Sequence, residues 1–273
     1  MTCDRRVGRA AYYREPLIDK RPYAPEFFDR PGVSRNLAQD GLDGTFRGAE
    51  ALMRYCGFLD GIEPFELPFG EPNVALACGR VDDHTRELLA AERAGLERMG
   101  DVRRREYSSG RRVARHALEL LGIRDVAVTT HGRVPVWPSG SVGSITHSRS
   151  LALAMVARAG NVAGMGVDLE LERRVTDELA GRVLLRRERE RSVEKDWRTM
   201  LFAAKEAVYK AVNPLVGEYL EFGDVEVKAE EDGTFGAITT RPRRSTATIE
   251  AGQGFFQRVE GHWLCVFLVP YGG

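Results

Sequence analysis

The sequence predicts an α+β protein. Two observations carry that expectation. Some stretches repeat apolar residues with the 3.6-residue period of a helix, while others are short β-like apolar runs. The halves before and after about residue 166 each combine helix with hairpins. With 273 residues, 43% hydrophobic and 29% charged, the chain has enough material for one large domain or two small ones around a real core.

Taken in order, residues 1–70 differ from the rest. They are rich in Pro, Gly, Arg and aromatic residues, with turn signals at Arg30-Pro31-Gly32 and Asp40-Gly41. They read as an N-terminal extension with one short helix around Ala49 to Phe58. Asn73 to Cys78 reads as a strand. Asp82 and Asp83 offer caps for a helix through Met99. Ser108 or Ser109 is expected to cap a second helix, whose apolar residues Val113, Ala114, Ala117, Leu118 and Leu121 keep the helical period, with Gly122 as its stop. Val126 to Thr130 is a predicted strand. Ser150 to Ala157 and Val162 to Glu170 are predicted to form a hairpin about Arg158 to Asn161. Arg182 to Asp196 is charged and helix-compatible. Trp197 to Val212 is a stronger helix, expected to end at Asn213-Pro214. Strands are expected at Val225 to Ala229, Phe235 to Thr239, Ala247 to Ala251 and His262 to Val269.

Lys+Arg and Asp+Glu are equal at 40 each, so global charge gives no reason to expect nucleic acid as a partner. Cys3, Cys56, Cys78 and Cys265 are far apart in sequence, which argues for free thiols rather than a zinc or redox pair. The N-terminus lacks the apolar segment of a signal peptide, and no apolar run approaches the ~20 residues that span a bilayer. A cytoplasmic protein is expected.

Four stretches can carry chemistry. In Gly166-Val167-Asp168-Leu169-Glu170, the carboxylates at i and i+2 of a strand share a side. Two like charges side by side want a cation, and hard carboxylate oxygens suit Mg²⁺. The same pattern also suits a solvated strand end. In Phe202 to Lys210, Leu201, Ala204, Val208, Ala211 and Val212 mark a buried stripe, and Glu206 and Lys210 share another face. They could be a third oxygen ligand or base beside a phosphate-binding ammonium, or a plain surface ion pair. Val142 to Ser148 sets His147 among small hydroxyl residues. Arg103, Arg104 and Arg105, with Arg111, Arg112 and Arg115, form a basic series near a helix start, suited to an anion or to solvent. Gly164-Met165-Gly166 lacks the third glycine of a dinucleotide loop. The Arg182 to Arg191 run reads as a solvated face.

Together and in this order, GRRVARHAL, VPVWPSGSVGSITHS, GVDLE and FAAKEAVYKAV resemble the 4′-phosphopantetheinyl transferases of the surfactin-synthetase-activating class, in particular the enterobactin synthase component D branch. The resemblance runs from about residue 71 to the C-terminus. It implies an α+β fold of two similar subdomains, 71–166 on the coenzyme A nucleotide side and 167–273 with the metal and catalytic helix, and an active site in the cleft between them. It implies Asp168, Glu170 and Glu206 as ligands of Mg²⁺, Glu206 also as base, and Lys205 and Lys210 as phosphate contacts. It places Thr146 and His147 near the coenzyme A phosphates, and Arg103, Arg111 and Arg115 on the nucleotide. His131, Gly132 and Arg133 would lie on the adenine side and Leu220 on the pantetheine side. His-Gly-Arg-Val-Pro departs from the family's usual pattern at that adenine-side loop.

The implied reaction moves 4′-phosphopantetheine from coenzyme A to a serine of an apo carrier protein of a peptide, polyketide or siderophore synthase, releasing 3′,5′-ADP. A monomer acting without nucleic acid is expected. Two alternatives stand beside it. Spaced Asp, Glu and Lys also build metal-dependent nucleases, though there the Glu-x-Lys lies on a strand. A carrier-binding scaffold that has lost activity would share the fold, but retention of all three carboxylates and Lys210 argues against it.

Overall fold

The computed structural model describes residues 56–65, 67, 73–132, 134–192 and 197–271. Eleven strands and five α-helices are described there. In chain order these are β1 (Cys56–Phe58), β2 (Val74–Arg80), α1 (Asp101–Leu120), β3 (Thr129–His131), β4 (Val134–Val136), β5 (Ser141–His147), β6 (Leu151–Arg158) and β7 (Val162–Leu171). Then follow α2 (Asp177–Val183), α3 (Arg186–Ser192), α4 (Arg198–Val216), β8 (Val225–Ala229), β9 (Thr234–Thr239), α5 (Thr246–Glu250), β10 (Gln253–Val259) and β11 (His262–Pro270). The α+β expectation holds. One sheet has the order β1-β2-β6-β5, a second β7-β11-β10-β9-β8, and β3-β4 form a separate hairpin.

Period-two patterning decides the layers. In β2, Val74, Leu76 and Cys78 face the second sheet, together with Leu151, Leu153 and Met155 of β6. The alternate residues Ala75, Ala77, Ala152 and Ala154 face α1 and meet Val113, Ala114, Ala117 and Leu118. On the other side, Leu264, Val266 and Leu268 of β11 join the inter-sheet core. Trp263, Cys265 and Phe267 face α4. The halves therefore share one core between two sheets, with a helix on each outer face.

β7 explains the Gly-Met-Gly run. A Cβ on Gly166 would lie 1.9 Å from the carbonyl oxygen of Ala207, and one on Gly164 2.5 Å from that of Ala211. The glycines let the α4 backbone lie against β7. Asp168 and Glu170 continue the same strand parity toward the face from which Glu206 and Lys210 project.

Several sequence expectations are corrected. The predicted hairpin of 150–157 with 162–170 does not form. β6 pairs with β2 and β5, β7 pairs with β11, and the chain changes sheets through Gly160 (φ 107°). β6 is apolar on both faces, and β7 sets Gly164, Gly166, Asp168 and Glu170 on one face and Met165, Val167 and Leu169 on the other, so neither pattern fixed a neighbour. The predicted helix to Met99 is three 3₁₀ turns, at Thr85–Glu87, Ala90–Glu92 and Leu96–Arg98. Of Thr85–Arg98 only Leu88 and Glu92 are buried, so no apolar stripe supports a helix, and Gly95 breaks the run at φ 84°. Ser108 and Ser109 lie inside α1 rather than capping it. Their hydroxyls accept the backbone N–H groups of His84 (3.1 Å) and Asp82 (3.0 Å). α4 passes Pro214 and stops at Gly217 (φ 64°). Residues 247–250 of the predicted strand are helical and Ala251 caps the helix, because buried Ser245 donates to Glu218 (2.6 Å) and Thr246 Oγ1 accepts Arg243 N–H (2.9 Å), which starts a turn. β10 was not foreseen.

Cys56–Phe58 is a strand parallel to β2, so the first sheet begins before residue 71, while 49–55 of the predicted short helix lie outside the described residues. Cys56, Cys78 and Cys265 are free thiols, and Cys3 lies outside the described residues. Among the described residues no helix is long and apolar enough to cross a membrane.

Candidate active site

The site begins where β7 leaves the shelter of α4. Asp168 is 5% exposed. Its Oδ1 accepts the Lys210 ammonium at 2.7 Å and the Thr146 hydroxyl at 3.0 Å. Its Oδ2 is buried and has no hydrogen-bond partner among the described residues. Lys210 also donates to the Val167 carbonyl at 3.0 Å. Its ion-pair partner is therefore Asp168, a residue on another element, rather than its helix neighbour Glu206. Glu170 is paired with Arg174, which the sequence reading did not single out.

Burial pushes Glu170 up from the ordinary 4.5 to about 7, and the Asp168 charge adds to the effect against the pull of Arg174. Burial first, and then Asp168, likewise lift Glu206 to about 7, opposed by Lys210 and Arg174. The three carboxylates expected at a metal thus share one electrostatic field. They do not form a closed ligand group: among the described residues no three His, Cys, Asp or Glu side chains are arranged to hold a metal ion. Lys210 and Arg174 occupy Asp168 and Glu170 instead. The unpaired Oδ2 and the two raised glutamates are what a divalent cation would relieve, so the donor set fits one.

Glu206 lines a cavity of about 440 Å³ together with Lys205, Tyr209, Tyr219, Leu220 and Arg182. This brings Leu220 to the same cavity as Glu206, just past the end of α4. Lys205 is different. Its ammonium is held at 2.7 Å from Glu188 with both side chains 2% exposed, and it donates to the carbonyls of Phe222 (2.8 Å) and Val183 (3.2 Å). Burial lowers its pKa while Glu188 opposes the shift. Lys205 was expected at a phosphate; here its charge is satisfied inward. Glu188, in the run read as a solvated face, is buried. A larger open depression of about 650 Å³ lies at Glu218 and Arg241 to Arg244. It contains none of the expected site residues, whereas the smaller cavity holds Lys205, Glu206 and Leu220.

On the other half, Arg103 of α1 and His147 of β5 meet at 3.0 Å. Burial pushes the His147 pKa down; Glu106 opposes this and Arg103 adds to it. Arginine only donates, so Nε2 of His147 is the lone-pair nitrogen. Arg111 is 6% exposed, stacks 4.5 Å over Tyr107, and donates to Thr130 Oγ1 at 2.7 Å. It has no carboxylate partner among the described residues, and its Nε is unpaired there. It anchors β3, whose exposed end carries His131, followed by exposed Gly132 (φ 61°). Arg133 lies outside the described residues. Arg115 is not brought to this edge: it pairs with fully buried Glu92 and donates to the Glu87 carbonyl at 2.9 Å. The Trp137 ring packs over Gly143 of β5, where a Cβ would lie 2.6 Å from it.

With this geometry in view, comparison with known proteins finds two family matches. Residues 91–157 match the 4′-phosphopantetheinyl transferase N-terminal domain, and residues 164–265 match the 4′-phosphopantetheinyl transferase superfamily. The chain is similar to 4′-phosphopantetheinyl transferase Svp of Streptomyces mobaraensis, with 37% identity over 165 residues, 57% of this chain and 67% of that one. It is 34% identical to 4′-phosphopantetheinyl transferase PptT of Mycobacterium tuberculosis over 138 residues, 48% of this chain and 61% of that one. Enterobactin synthase component D of Salmonella typhi is 36% identical over 128 residues, 44% of this chain and 53% of that one.

Proposed function

The chain belongs to the 4′-phosphopantetheinyl transferase superfamily and is an enzyme of that type, and we propose that it takes the group from coenzyme A, with Mg²⁺, onto a carrier-protein serine, releasing 3′,5′-ADP. The observation that carries this reading is the Asp168 carboxylate. One oxygen is filled by Thr146 and Lys210, the other is free, and two glutamates lifted to about 7 stand in the same field.

Asp168, Glu170 and Glu206 would hold the Mg²⁺, which when bound supplies neutralising charge for the diphosphate. The serine hydroxyl attacks the β-phosphorus of coenzyme A, and the bond to the 3′,5′-ADP oxygen breaks. Glu206 accepts the serine proton, directly or through water. Lys210 lies within reach of the same acidic group and stabilises the phosphoryl oxygens. Arg103 and Arg111, with the neutral His147 beside Arg103, would form the edge that takes the 3′-phosphate. The Tyr209, Tyr219 and Leu220 cavity takes the pantetheine arm. The likeness to enterobactin synthase component D supports a carrier of siderophore or peptide assembly. We place the enzyme in the cytoplasm as a monomer.

The test is incubation with coenzyme A, Mg²⁺ and apo carriers of peptide, polyketide and siderophore synthases, read by mass. One carrier should gain a single phosphopantetheine. Asp168→Ala or a chelator should abolish the gain with the fold intact. Normal transfer by Asp168→Ala would overturn the proposed site.

A further inference from the structure

β5 and β7 belong to different sheets, yet two side-chain hydroxyls join them. Ser144 Oγ accepts the Val167 N–H at 3.0 Å, and Thr146 Oγ1 donates to Asp168 Oδ1 at 3.0 Å. Both residues are 4% exposed. They stand at i and i+2 of β5, so they project from one face of that strand.

The terminal torsion of an aspartate is soft, so its carboxylate plane is fixed only by what binds it. Lys210 fixes charge on Oδ1 but is a poor guide for direction. Its ammonium is a point charge on a flexible stem, shared here with the Val167 carbonyl. A β-branched threonine on a paired strand is stiff. Thr146 sits in such a strand, in register with Leu153 of β6. Once Thr146 and Lys210 fill Oδ1, the remaining oxygen is the buried, partnerless Oδ2.

We infer that Thr146 is a positioning residue for Asp168: its hydroxyl turns the carboxylate so that Oδ1 is occupied and Oδ2 is left as the ligand oxygen. This rests on the metal reading above. It also gives Thr146 a different part from the one its resemblance implied, that of a contact to the coenzyme A phosphates. The nucleotide half thereby orients a metal ligand of the other half through one hydrogen bond.

The two parts separate in coenzyme A binding measured by calorimetry without carrier, so that nothing turns over. Wild type, Thr146→Val and Thr146→Ser are each titrated in chelator and in Mg²⁺. The expected result is that Thr146→Val binds coenzyme A within about 2-fold of wild type in chelator. The gain that Mg²⁺ adds should fall by about 10- to 100-fold, as for other partners that orient a metal ligand. Thr146→Ser, which keeps the hydroxyl, should recover most of it. Thr146→Ala carries the same expectation as valine if the valine variant does not fold. Mn²⁺ binding followed by electron paramagnetic resonance in the same complexes should weaken in parallel. A loss of equal factor in chelator and in Mg²⁺ would mean direct phosphate contact and overturn the inference. So would an unchanged Mg²⁺ gain in Thr146→Val. If wild type itself shows no Mg²⁺ gain and binds no Mn²⁺, the metal reading fails and takes this inference with it.

Discussion

Replacing Lys205 tests whether its buried charge is structural. Its ammonium and the Glu188 carboxylate are 2.7 Å apart with both side chains 2% exposed, so solvent screening is small. Lys205→Met leaves a buried carboxylate without its cation, a change that typically costs about 3–5 kcal/mol. Glu188 keeps two backbone donors, Leu185 N–H at 2.7 Å and Val227 N–H at 2.9 Å, which stabilise the anion. The carbonyls of Phe222 and Val183 lose their donor. We therefore expect the lower end, about 3 kcal/mol, or roughly 6–12 °C in Tm for a domain of this size. Glu188→Gln should cost a similar amount by stranding the ammonium. The double variant carries no charge and keeps an amide oxygen for one backbone N–H, so it should recover about 1–3 kcal/mol relative to the sum of the single changes. Urea denaturation of the four proteins measures this. A Lys205→Met cost below about 1 kcal/mol, with a raised KM for coenzyme A, would show that Lys205 turns outward to a phosphate and would refute the reasoning.

Three further outcomes follow from the site. Glu170 and Glu206 have folded pKa values raised from 4.5 to about 7, so their stabilising effect is fully present below about 4.5 and is lost as pH rises through about 7. Counting one proton between them, metal-free protein should lose about 3 kcal/mol across that window; the Glu170→Gln/Glu206→Gln variant should show a flatter stability profile, and parallel profiles would contradict the assignment. Lys210→Ala should lower the transfer rate by on the order of 100-fold, and near-wild-type kinetics would remove Lys210 from the chemistry. Arg111→Ala should erase most of the preference for coenzyme A over dephospho-coenzyme A, a factor of about 30 or more, while an unchanged ratio measured with both substrates would place the 3′-phosphate elsewhere.

What the sequence made legible was local. The short apolar run of Val74 to Cys78 and the apolar period of Val113 to Leu121 identified β2 and the buried face of α1, because each is set by neighbours along the chain. Which strands pair was not legible for β6 and β7. β6 is apolar on both faces and most of β7 is buried, so each fits a hairpin with the other as well as separate sheets, and only long-range packing decides. The 3₁₀ turns before α1 and helix α5 were misread for a related reason. Ser109, Ser245 and Thr246 act through partners distant in sequence or at a turn, and propensity alone does not reveal a side chain that replaces a backbone partner.

The candidate site divides along the same line. Asp168, Glu170, Glu206 and Lys210 were found by i, i+2 and i, i+4 spacing, which fixes the side of an element a residue occupies. Spacing does not fix the partner, so Lys210 was set beside Glu206 although its bond is to Asp168 of β7. Lys205 shows that a usable signal was present. It lies four residues after Leu201, three before Val208 and seven before Val212, inside the apolar stripe of α4, and all three of those residues are buried. A lysine in a buried stripe requires a buried acid elsewhere. The Arg182 to Arg191 segment supplied one: Glu188 stands three and four positions after Leu185 and Leu184, and four before buried Ser192, on the inward side of its helix. Searching for the counter-charge of a stripe lysine would have pointed from Lys205 to Glu188 before the fold was known.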